Sequence, residues 1–404
     1  MNNHKTHLPP GMQDFLPEEC AHKRDIEEKA RRCFSSWGYD EIETPCMEYM
    51  EAFRGQIGDF EPERLFKLTD STGRILVLRP DITMPLARVA ATRLASRQPL
   101  RMFYVGEAFQ FTSPEMAAGL REFTQLGVEL MGQSGPMADA EVIALAISVL
   151  REAGLKEFQI DIGQVQFFKG LMQEAGLSDS QTEEVRRHVE EKNQLAIELL
   201  IQQAGISGGL RNRILELPML YGGVEVLETA ERFTANKTCR DALDYMKRTL
   251  DALSNYDLDE YISIDLGMVQ SINYYSGIIF RGISKYFGNQ LLAGGRYDGL
   301  VEEFGKPMAA TGFAFSIKPV LIALERQGSL PSALTMDAVA CFDASDGPLP
   351  LRALEMLRDK GYRVEQFYGS CQELEEYAKG RGARTALCWR DGEFREIWRR
   401  GERT

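Results

Sequence analysis

The sequence has little of what membrane and secreted proteins require. It contains no apolar run approaching the roughly 20 residues that cross a bilayer. Its first residues, MNNHKTHLPP, lack the apolar segment of a signal peptide. We therefore expect a cytoplasmic protein with no membrane partner.

Histidine and closely paired cysteine are also scarce, which argues against metal and nucleophile chemistry. His4 and His7 lie near the start of the chain, and His22 and His188 lie in charged stretches typical of helices. The cysteines include no C-x-x-C pair: Cys20, Cys33, Cys46, Cys239, Cys341, Cys371 and Cys388. A histidine-based triad, a structural zinc site or a disulfide framework needs denser spacing. We expect no metal site and no cofactor.

Basic residues are outnumbered by acidic ones. The chain has 47 Lys and Arg against 60 Asp and Glu, a formal net charge of −13. Non-specific nucleic-acid binding depends on Lys and Arg that neutralise phosphates, so nucleic acid is a poor candidate partner. The 404 residues, 44% of them hydrophobic, suffice for two or three domains of about 150 residues each.

The segments that are present predict an α+β fold rather than a regular βαβ alternation. A helix is expected over 17–37, ended by Gly38 and followed by a strand in YDEIETPCME. The run RILVLRP predicts a short strand, and TMPLARVAATRLASR has helical composition. RMFYVGEAFQF and EFTQLGVELMG predict an antiparallel hairpin with a long tip. A helix from about Ala138 to Ala153 follows, ended by Gly154.

The later half predicts a helical insert and a separate tail. Residues 167–259 are almost wholly helical in pattern, after which strands return, broken by a glycine-rich turn at Gly294–Gly295. The tail alternates strand, helix, strand, helix, strand. We predict a first domain over residues 1–325 that contains the insert, and a small C-terminal α/β domain over 335–404.

Two segments place polar groups where plain core strands seldom carry them. Asp81 follows an apolar strand and precedes a helix, so it is either a helix cap or a ligand, and the residues alone favour the cap. Gln125, Gly127 and Glu129 share one face of a strand by the two-residue period. The structural alternative is that this face is simply solvated.

A third set combines aromatic residues with glycine. Tyr274 and Tyr275 precede Gly277, and Gly294–Gly295 precede Tyr297. Such residues most often pack strands and form tight turns, but tyrosine hydroxyls would also give polar groups to an apolar pocket.

The order and spacing of these segments resemble the histidyl-tRNA synthetases over about residues 8–325. The similar segments are LPPGMQDFLP at 8–17, GYDEIETP at 38–45, LRPDIT at 78–83, REFTQLGVELMG at 121–132, NYYSGIIF at 273–280, AGGRYDGLVEEFG at 293–305 and ATGFAFSI at 310–317. The resemblance implies a class II aminoacyl-tRNA synthetase-like fold, an antiparallel sheet flanked by helices, that dimerises through the region around GYDEIETP.

The chain departs from that family where a synthetase holds ATP phosphates with arginines. The expected arginine positions fall on Gln110, Gly119, Gln270 and Pro319, although Arg121 lies close enough to Gly119 to be an alternative. Glutamine carries no charge to meet phosphate, and proline has no donor at all. Since each charge-assisted contact is worth about 1.5–3 kcal/mol, we predict that adenylation activity is lost.

The resemblance implies that the amino-acid half of the site survives. Asp81, Thr83 and Gln125 match residues that hold the substrate ammonium group, and Glu129 and Tyr275 match those that meet the imidazole. Tyr274 belongs to the same tyrosine pair, and Tyr297 closes the pocket. An ammonium group needs an anionic acceptor, and an imidazole N–H needs a carboxylate or phenol. The alternative is a pocket kept only as packing.

A synthetase-like fold without these arginines resembles the regulatory subunits of ATP phosphoribosyltransferase. That resemblance implies a non-catalytic chain that acts in the first step of histidine biosynthesis, with a short-form catalytic subunit as its partner and histidine as an effector. It also implies a homodimer within a hetero-oligomer. Alternatives are a divergent histidyl-tRNA synthetase and a pseudo-synthetase that senses histidine or tRNA. The tail is either a reduced anticodon-domain remnant or a partner-docking module.

Overall fold

The structure is a computed structural model that describes residues 4–54, 62–111, 117–234, 236–269, 274–330, 336–342 and 351–401. The chain divides into two compact units. The first comprises Met1–Leu16 and His22–Leu330, and the second comprises Pro331–Thr404 with Pro17–Ala21. Within the described residues, no helix combines the length and apolar character needed to cross a membrane.

Helices and strands alternate irregularly along the chain. The helices are α1 (Pro17–Ser36), α2 (Thr83–Thr92), α3 (Pro136–Ala153), α4 (Val165–Ala175), α5 (Asp179–Glu190), α6 (Gln194–Gln203), α7 (Gly208–Glu216), α8 (Glu225–Phe233), α9 (Lys237–Ser254), α10 (Ile317–Gln327), α11 (Leu351–Asp359) and α12 (Leu374–Gly380). The strands are β1 (Asp40–Glu41), β2 (Met47–Tyr49), β3 (Lys67–Thr69), β4 (Ile75–Leu78), β5 (Leu100–Phe109), β6 (Glu122–Met131), β7 (Gln159–Gln164), β8 (Tyr221–Gly222), β9 (Ile262–Asp265), β10 (Ile278–Ser284), β11 (Phe287–Arg296), β12 (Ala310–Ser316), β13 (Ala338–Phe342), β14 (Val364–Gln366), β15 (Thr385–Arg390) and β16 (Glu393–Arg399).

A nine-stranded sheet dominates the first unit, in the order β1-β5-β6-β12-β11-β10-β7-β9-β8. Its centre is antiparallel, and β1 and β9 pair parallel to their neighbours β5 and β7. The predicted hairpin is β5 with β6, in register from Leu100 opposite Met131 to Phe109 opposite Glu122. The α+β fold class is confirmed.

Helix α3 forms much of the core behind this sheet. Its alanine, valine, isoleucine and leucine residues are almost all buried, and Gly154 ends it in a left-handed conformation with φ 105°. A left-handed residue after the last turn suits glycine, which has no Cβ to clash. The segment from α4 to α9 is helical as predicted, interrupted among its described residues by the two-residue strand β8.

Two local predictions for the first unit are wrong. Gly294 and Gly295 lie inside β11 rather than in a turn, paired with both β10 and β12. A Cβ on Gly294 would lie 2.5 Å from the Gly312 carbonyl oxygen, so close sheet contact selects glycine there. The segment YDEIETPCME does not form one strand: it contains β1 and the first two residues of β2, which belong to different sheets.

The second unit is a four-stranded sheet in the order β14-β13-β15-β16, with α11 and α12. Strands β14 and β15 run parallel to β13, as a strand–helix–strand alternation requires. The sequence pattern missed β16, which pairs antiparallel to β15 at the edge of the sheet. Its residues are mostly exposed and charged, so they carry little apolar signal.

Candidate functional site

The seven residues predicted to bind histidine meet at one cavity of the first unit. The cavity has a volume of about 230 Å³. Its lining comprises Asp81, Thr83, Gln110, Gln125, Glu129, Tyr274, Tyr275, Ala293, Gly294, Tyr297, Gly312, Phe313 and Ala314. Pockets for drug-sized ligands usually measure roughly 300–1,000 Å³, so this one suits a smaller molecule.

Strand β6 supplies the floor of the cavity. Gln125 is 5% exposed and Glu129 is 1% exposed, so this face is not solvated. Between them, a Cβ on Gly127 would lie 2.5 Å from the hydroxyl of Tyr104 and would clash with the Phe313 carbonyl. The glycine therefore lets β5 and β12 approach, and Tyr104 is a buried neighbour of the site that the motifs did not reveal.

Glu129 accepts hydrogen bonds from hydroxyl groups and forms no ion pair with a basic side chain of the described lining. Its carboxylate accepts hydrogen bonds from Thr83 Oγ1, at 2.8 Å, and from the hydroxyl of Tyr297. Burial raises the pKa of Glu129 well above its usual range, and the nearby carboxyl of Asp81 adds to the effect. Among the described residues that line the cavity, none is a lysine or an arginine.

Asp81 both caps a helix and lines the cavity. Its Oδ1 accepts the backbone N–H of Met84 at 3.1 Å, which confirms the capping role. The side chain of Gln125 accepts the N–H of Ile82 at 3.1 Å and thereby fixes the same turn to β6. Burial raises the pKa of Asp81 to about 6, although the Met84 N–H and the charge of Arg79 oppose the rise.

Three tyrosines of the lining pack against one another. The rings of Tyr274 and Tyr275 are nearly perpendicular with centroids 4.8 Å apart, and Tyr274 lies 5.4 Å from Tyr297. Burial raises the pKa of Tyr274 and of Tyr275 above the ordinary tyrosine value. Their hydroxyls therefore remain protonated at neutral pH and can donate hydrogen bonds, and their ring faces can attract a cation.

Three of the four positions where synthetase arginines are expected lie in the described part of the chain. Gln110 lines the cavity and donates from Nε2 to the Pro80 carbonyl at 3.0 Å. Gly119 lies in a turn with φ 91°, and Pro319 lies buried in the first turn of α10. Gln270 lies outside the described residues. The alternative arginine, Arg121, lies with its guanidinium 4.8 Å from the ring centroid of Phe111.

Two arginines inside the resembling motifs are structural, which the sequence did not reveal. Arg296 forms a buried bidentate ion pair with Asp139 at 3.1 and 2.7 Å, and it also bonds Asp298 at 3.1 Å. Arg79 donates to the backbone carbonyls of Glu107 and Thr44 at 2.8 and 2.6 Å. Both guanidiniums are committed to holding the strands and loops around the cavity.

The cavity is therefore chemically suited to a small cationic ligand. Two buried carboxyl groups with raised pKa values would each be stabilised as the anion by a bound positive group. Phenol hydroxyls and ring faces supply further complementary contacts. An anionic phosphate, by contrast, would meet carboxylates and no basic side chain among the described lining residues.

A second cluster of reactive side chains lies in the second unit. The sulfur atoms of Cys341, Cys371 and Cys388 all lie within 4.8 Å of one another, and Cys371 contacts both of the others. The absence of C-x-x-C pairs argued against a disulfide framework or a structural zinc site, and it gave no sign that these three cysteines lie together. Strand pairing brings Cys341 opposite Cys388, a proximity that local spacing does not show.

Comparison with known proteins agrees with the geometry. The family model for histidyl-tRNA synthetase matches residues 11–320. An ATP phosphoribosyltransferase regulatory subunit from Acetivibrio thermocellus is 43% identical over 97% of this chain and 94% of its own length. A crystal structure described as an ATP phosphoribosyltransferase regulatory subunit/histidyl-tRNA synthetase from Bacillus halodurans has a TM-score of 0.84 and 31% identity, covering 96% of this chain and 99% of that one.

The fold is shared still more widely. A histidyl-tRNA synthetase from a Nostoc species superposes with a TM-score of 0.80 at 21% identity, over 97% of this chain and 96% of that one. The chain is thus a class II aminoacyl-tRNA synthetase-like protein of the histidyl-tRNA synthetase family. Within it, the chain belongs to the ATP phosphoribosyltransferase regulatory subunits.

Proposed function

We propose that this chain is a non-catalytic regulatory subunit that assembles with a short-form ATP phosphoribosyltransferase catalytic subunit and senses histidine. In this role it acts in the first step of histidine biosynthesis, as a homodimer within a hetero-oligomer. The observation that carries the proposal is the cavity itself: it brings together acceptors and donors that suit the α-ammonium and imidazole groups of histidine, while its described lining has no basic residue.

The ammonium and imidazole groups of histidine each have a complementary partner in the cavity. Its α-ammonium group complements Asp81, whose Oδ2 accepts no hydrogen bond from the described residues. Its imidazole complements Glu129 and the hydroxyl of Tyr275, because a ring N–H needs an acceptor and a ring nitrogen needs a donor. Asp81 is one methylene shorter than the glutamate of the synthetases, and its cap bond to Met84 holds it at the cavity.

The same lining supports the loss of adenylation. An enzyme that activates an amino acid must stabilise negative charge on the transferring phosphate, and arginine and metal ions usually do so. Gln110 meets the cavity with a neutral amide that is already bonded to Pro80. Inhibition by histidine would then follow if histidine binds the inhibited assembly more tightly than the active one.

The test combines assembly with a matched pair of variants. The full chain is co-purified with a short-form catalytic subunit, and phosphoribosyltransferase activity is measured with and without histidine. We expect the chain to restore activity, and Glu129→Ala to abolish inhibition by histidine while leaving activation intact. Glu122→Ala changes an exposed carboxylate on the same strand and serves as the control.

Each alternative function has its own measurement. Failure to restore activity contradicts the regulatory role, and unchanged inhibition in Glu129→Ala contradicts the histidine site alone, since histidine then binds the catalytic subunit. Robust ATP–pyrophosphate exchange with histidine would identify a divergent synthetase. Tight tRNA binding that weakens steeply with added salt would identify a pseudo-synthetase RNA sensor.

A further inference from the structure

The three clustered cysteines come from separate elements of the second unit. Cys341 lies on β13 and Cys388 lies opposite it on β15, and both side chains are fully buried. Cys371 lies in the loop that precedes α12 and is half-buried. Its Cα is 6.0 Å from that of Cys341 and 6.1 Å from that of Cys388. One accessible and two inaccessible thiols therefore converge on a single point.

Packing alone does not account for this arrangement. Buried cysteines elsewhere in the chain act as small apolar residues, and burial raises the pKa of the Cys33 thiol to about 12. Cys33 and Cys239 are each buried as free thiols, outside the cluster. A disulfide does not account for it either, because a sulfur atom forms one disulfide and any pair would leave the third thiol unused.

We propose that Cys341, Cys371 and Cys388 form a three-thiolate site for a soft metal ion, zinc(II) or copper(I). Thiolates prefer these ions over hard cations such as magnesium. Metal–sulfur bonds of about 2.3 Å place the sulfurs of a tetrahedral ion roughly 3.8 Å apart. All three sulfur atoms lie within 4.8 Å of one another, and that of Cys371 lies at covalent distance from each of the other two. The reduced side chains must therefore spread apart to hold an ion.

The surroundings of the cluster are those of a buried metal site that an ion can enter beside the half-buried Cys371. Leu374, Ala378 and Val339 belong to the same hydrophobic cluster, and the rings of Phe367 and Tyr377 stack at 4.3 Å beside it. Each thiol that binds loses its proton to solvent, so up to three protons leave as one ion enters. No fourth histidine, cysteine or carboxylate joins the group within the described residues. Copper(I) is satisfied by three thiolates, whereas zinc(II) would take its fourth ligand from solvent.

The experiment uses the full chain, reduced and stripped of metal with a chelator. One equivalent of zinc(II), or of copper(I) under anaerobic conditions, is added, and native mass spectrometry counts the ions retained. We expect one ion per chain and at least tenfold slower alkylation of Cys371. Cys371→Ala should weaken retention by more than the roughly 10–100-fold that loss of an outer-shell partner costs. Cys46→Ala, which removes an exposed free cysteine, should retain the ion.

Three results would overturn the site. One is failure of the unaltered chain to retain either ion, which requires no variant. Another is equal retention by Cys371→Ala, with circular dichroism confirming that the variant is folded. The last is a disulfide from Cys371 to Cys341 or Cys388 that peptide mapping still finds in reducing buffer. Comparison of the zinc(II) and copper(I) titrations identifies which ion the thiolates prefer.

Discussion

The cavity of the first unit and the cysteine cluster of the second gather reactive side chains by different means. Around the cavity, neighbouring antiparallel strands and the loops at their ends carry the polar groups, and buried glycines and ion pairs fix the backbone. In the cluster, two parallel strands bring Cys341 and Cys388 side by side, and a loop adds Cys371. The cavity therefore depends on its scaffold, and the cluster depends on its three side chains.

The two regions differ also in the charged and polar groups that surround their reactive side chains. The cavity holds Glu129 with hydroxyl partners and Asp81 with a backbone N–H. Burial raises the pKa of both carboxyls, and the charge of Asp81 adds to the rise for Glu129. The cysteines of the cluster lie instead in an apolar core, beside side chains such as Val339 and Leu374 that carry no charge. We expect scaffold changes to act strongly on the first region, and single side-chain truncation to act modestly on the second.

Removal of the buried ion pair should have the largest effect on the free energy of unfolding. Arg296→Met would leave Asp139, which is 1% exposed, without its guanidinium partner. Breaking a buried pair by removing one member typically costs about 3–5 kcal/mol in free energy of unfolding. Urea denaturation would measure it, with Arg32→Met as the control because its ion pair with Glu28 is largely exposed. A loss no greater than that of the control would contradict the scaffold role.

Adding a methyl group to Gly294, which lies on β11 and lines the cavity, should have the next largest effect on stability. Gly294→Ala would place a Cβ 2.5 Å from both the Gly312 carbonyl oxygen and the ring of Phe280. Overpacking of this kind costs about 1–3 kcal/mol, and it should also weaken histidine binding. Gly288→Ala changes the same strand where no atom lies within 4 Å, so it should leave thermal stability and binding unchanged. Equal behaviour of the two variants would show that close strand approach is unimportant.

The comparison explains what the sequence could predict. Asp81, Thr83, Gln125 and Glu129 were identified because each lies in a short motif that resembles a known family, and all four line the cavity. The position of Gly294 was misread because glycine favours turns locally, whereas here strand packing decides its place. The local pattern is therefore informative about chemistry and less so about backbone geometry.

Contacts between residues that are far apart in the chain could not be predicted either, because a local pattern does not show them. The ion pair between Arg296 and Asp139 joins the end of β11 to α3, and the sequence around neither residue predicts it. Cys341 and Cys371 are 30 residues apart, so no ligand spacing of the zinc-finger kind was visible. Strand β16 was missed because edge strands need few apolar residues.

A smaller effect should follow from the acidity of Asp81. Its pKa of about 6 means that the carboxyl is mostly protonated at pH 5 and mostly ionised at pH 7. Because an ammonium group binds the ionised form, affinity due to Asp81 should fall as the pH drops through 6, by roughly tenfold between pH 7 and pH 5. Calorimetry should show the ratio of wild-type to Asp81→Asn affinity rising by that factor from pH 5 to pH 7.

That ratio cancels the titration of the ligand's imidazole, which is common to both measurements. Asp81→Asn itself lowers the pKa of Glu129, because it removes one of the charges that raise it. Asp391→Asn, a change at a carboxylate that is 75% exposed in the second unit, should show no such trend. A constant ratio for Asp81→Asn would mean that the ammonium group does not meet this carboxyl. Asp81 would then serve as a helix cap alone.

The smallest effect should come from truncating one thiol of the cluster. In the metal-free chain, Cys341→Ala removes one buried heavy atom, which by analogy with a deleted methylene costs about 1 kcal/mol. Hydrogen exchange should then quicken about fivefold in β13 and β15, because local opening reports local stability. Cys239→Ala, a matched truncation in α9, should instead quicken exchange in α4 and α9, where Cys239 Sγ donates to the Phe167 carbonyl. Slower hydrogen exchange in α9 of Cys341→Ala, or unchanged exchange in β15, would show that the second unit has no separate hydrophobic core. The contrast between the two regions would then fail.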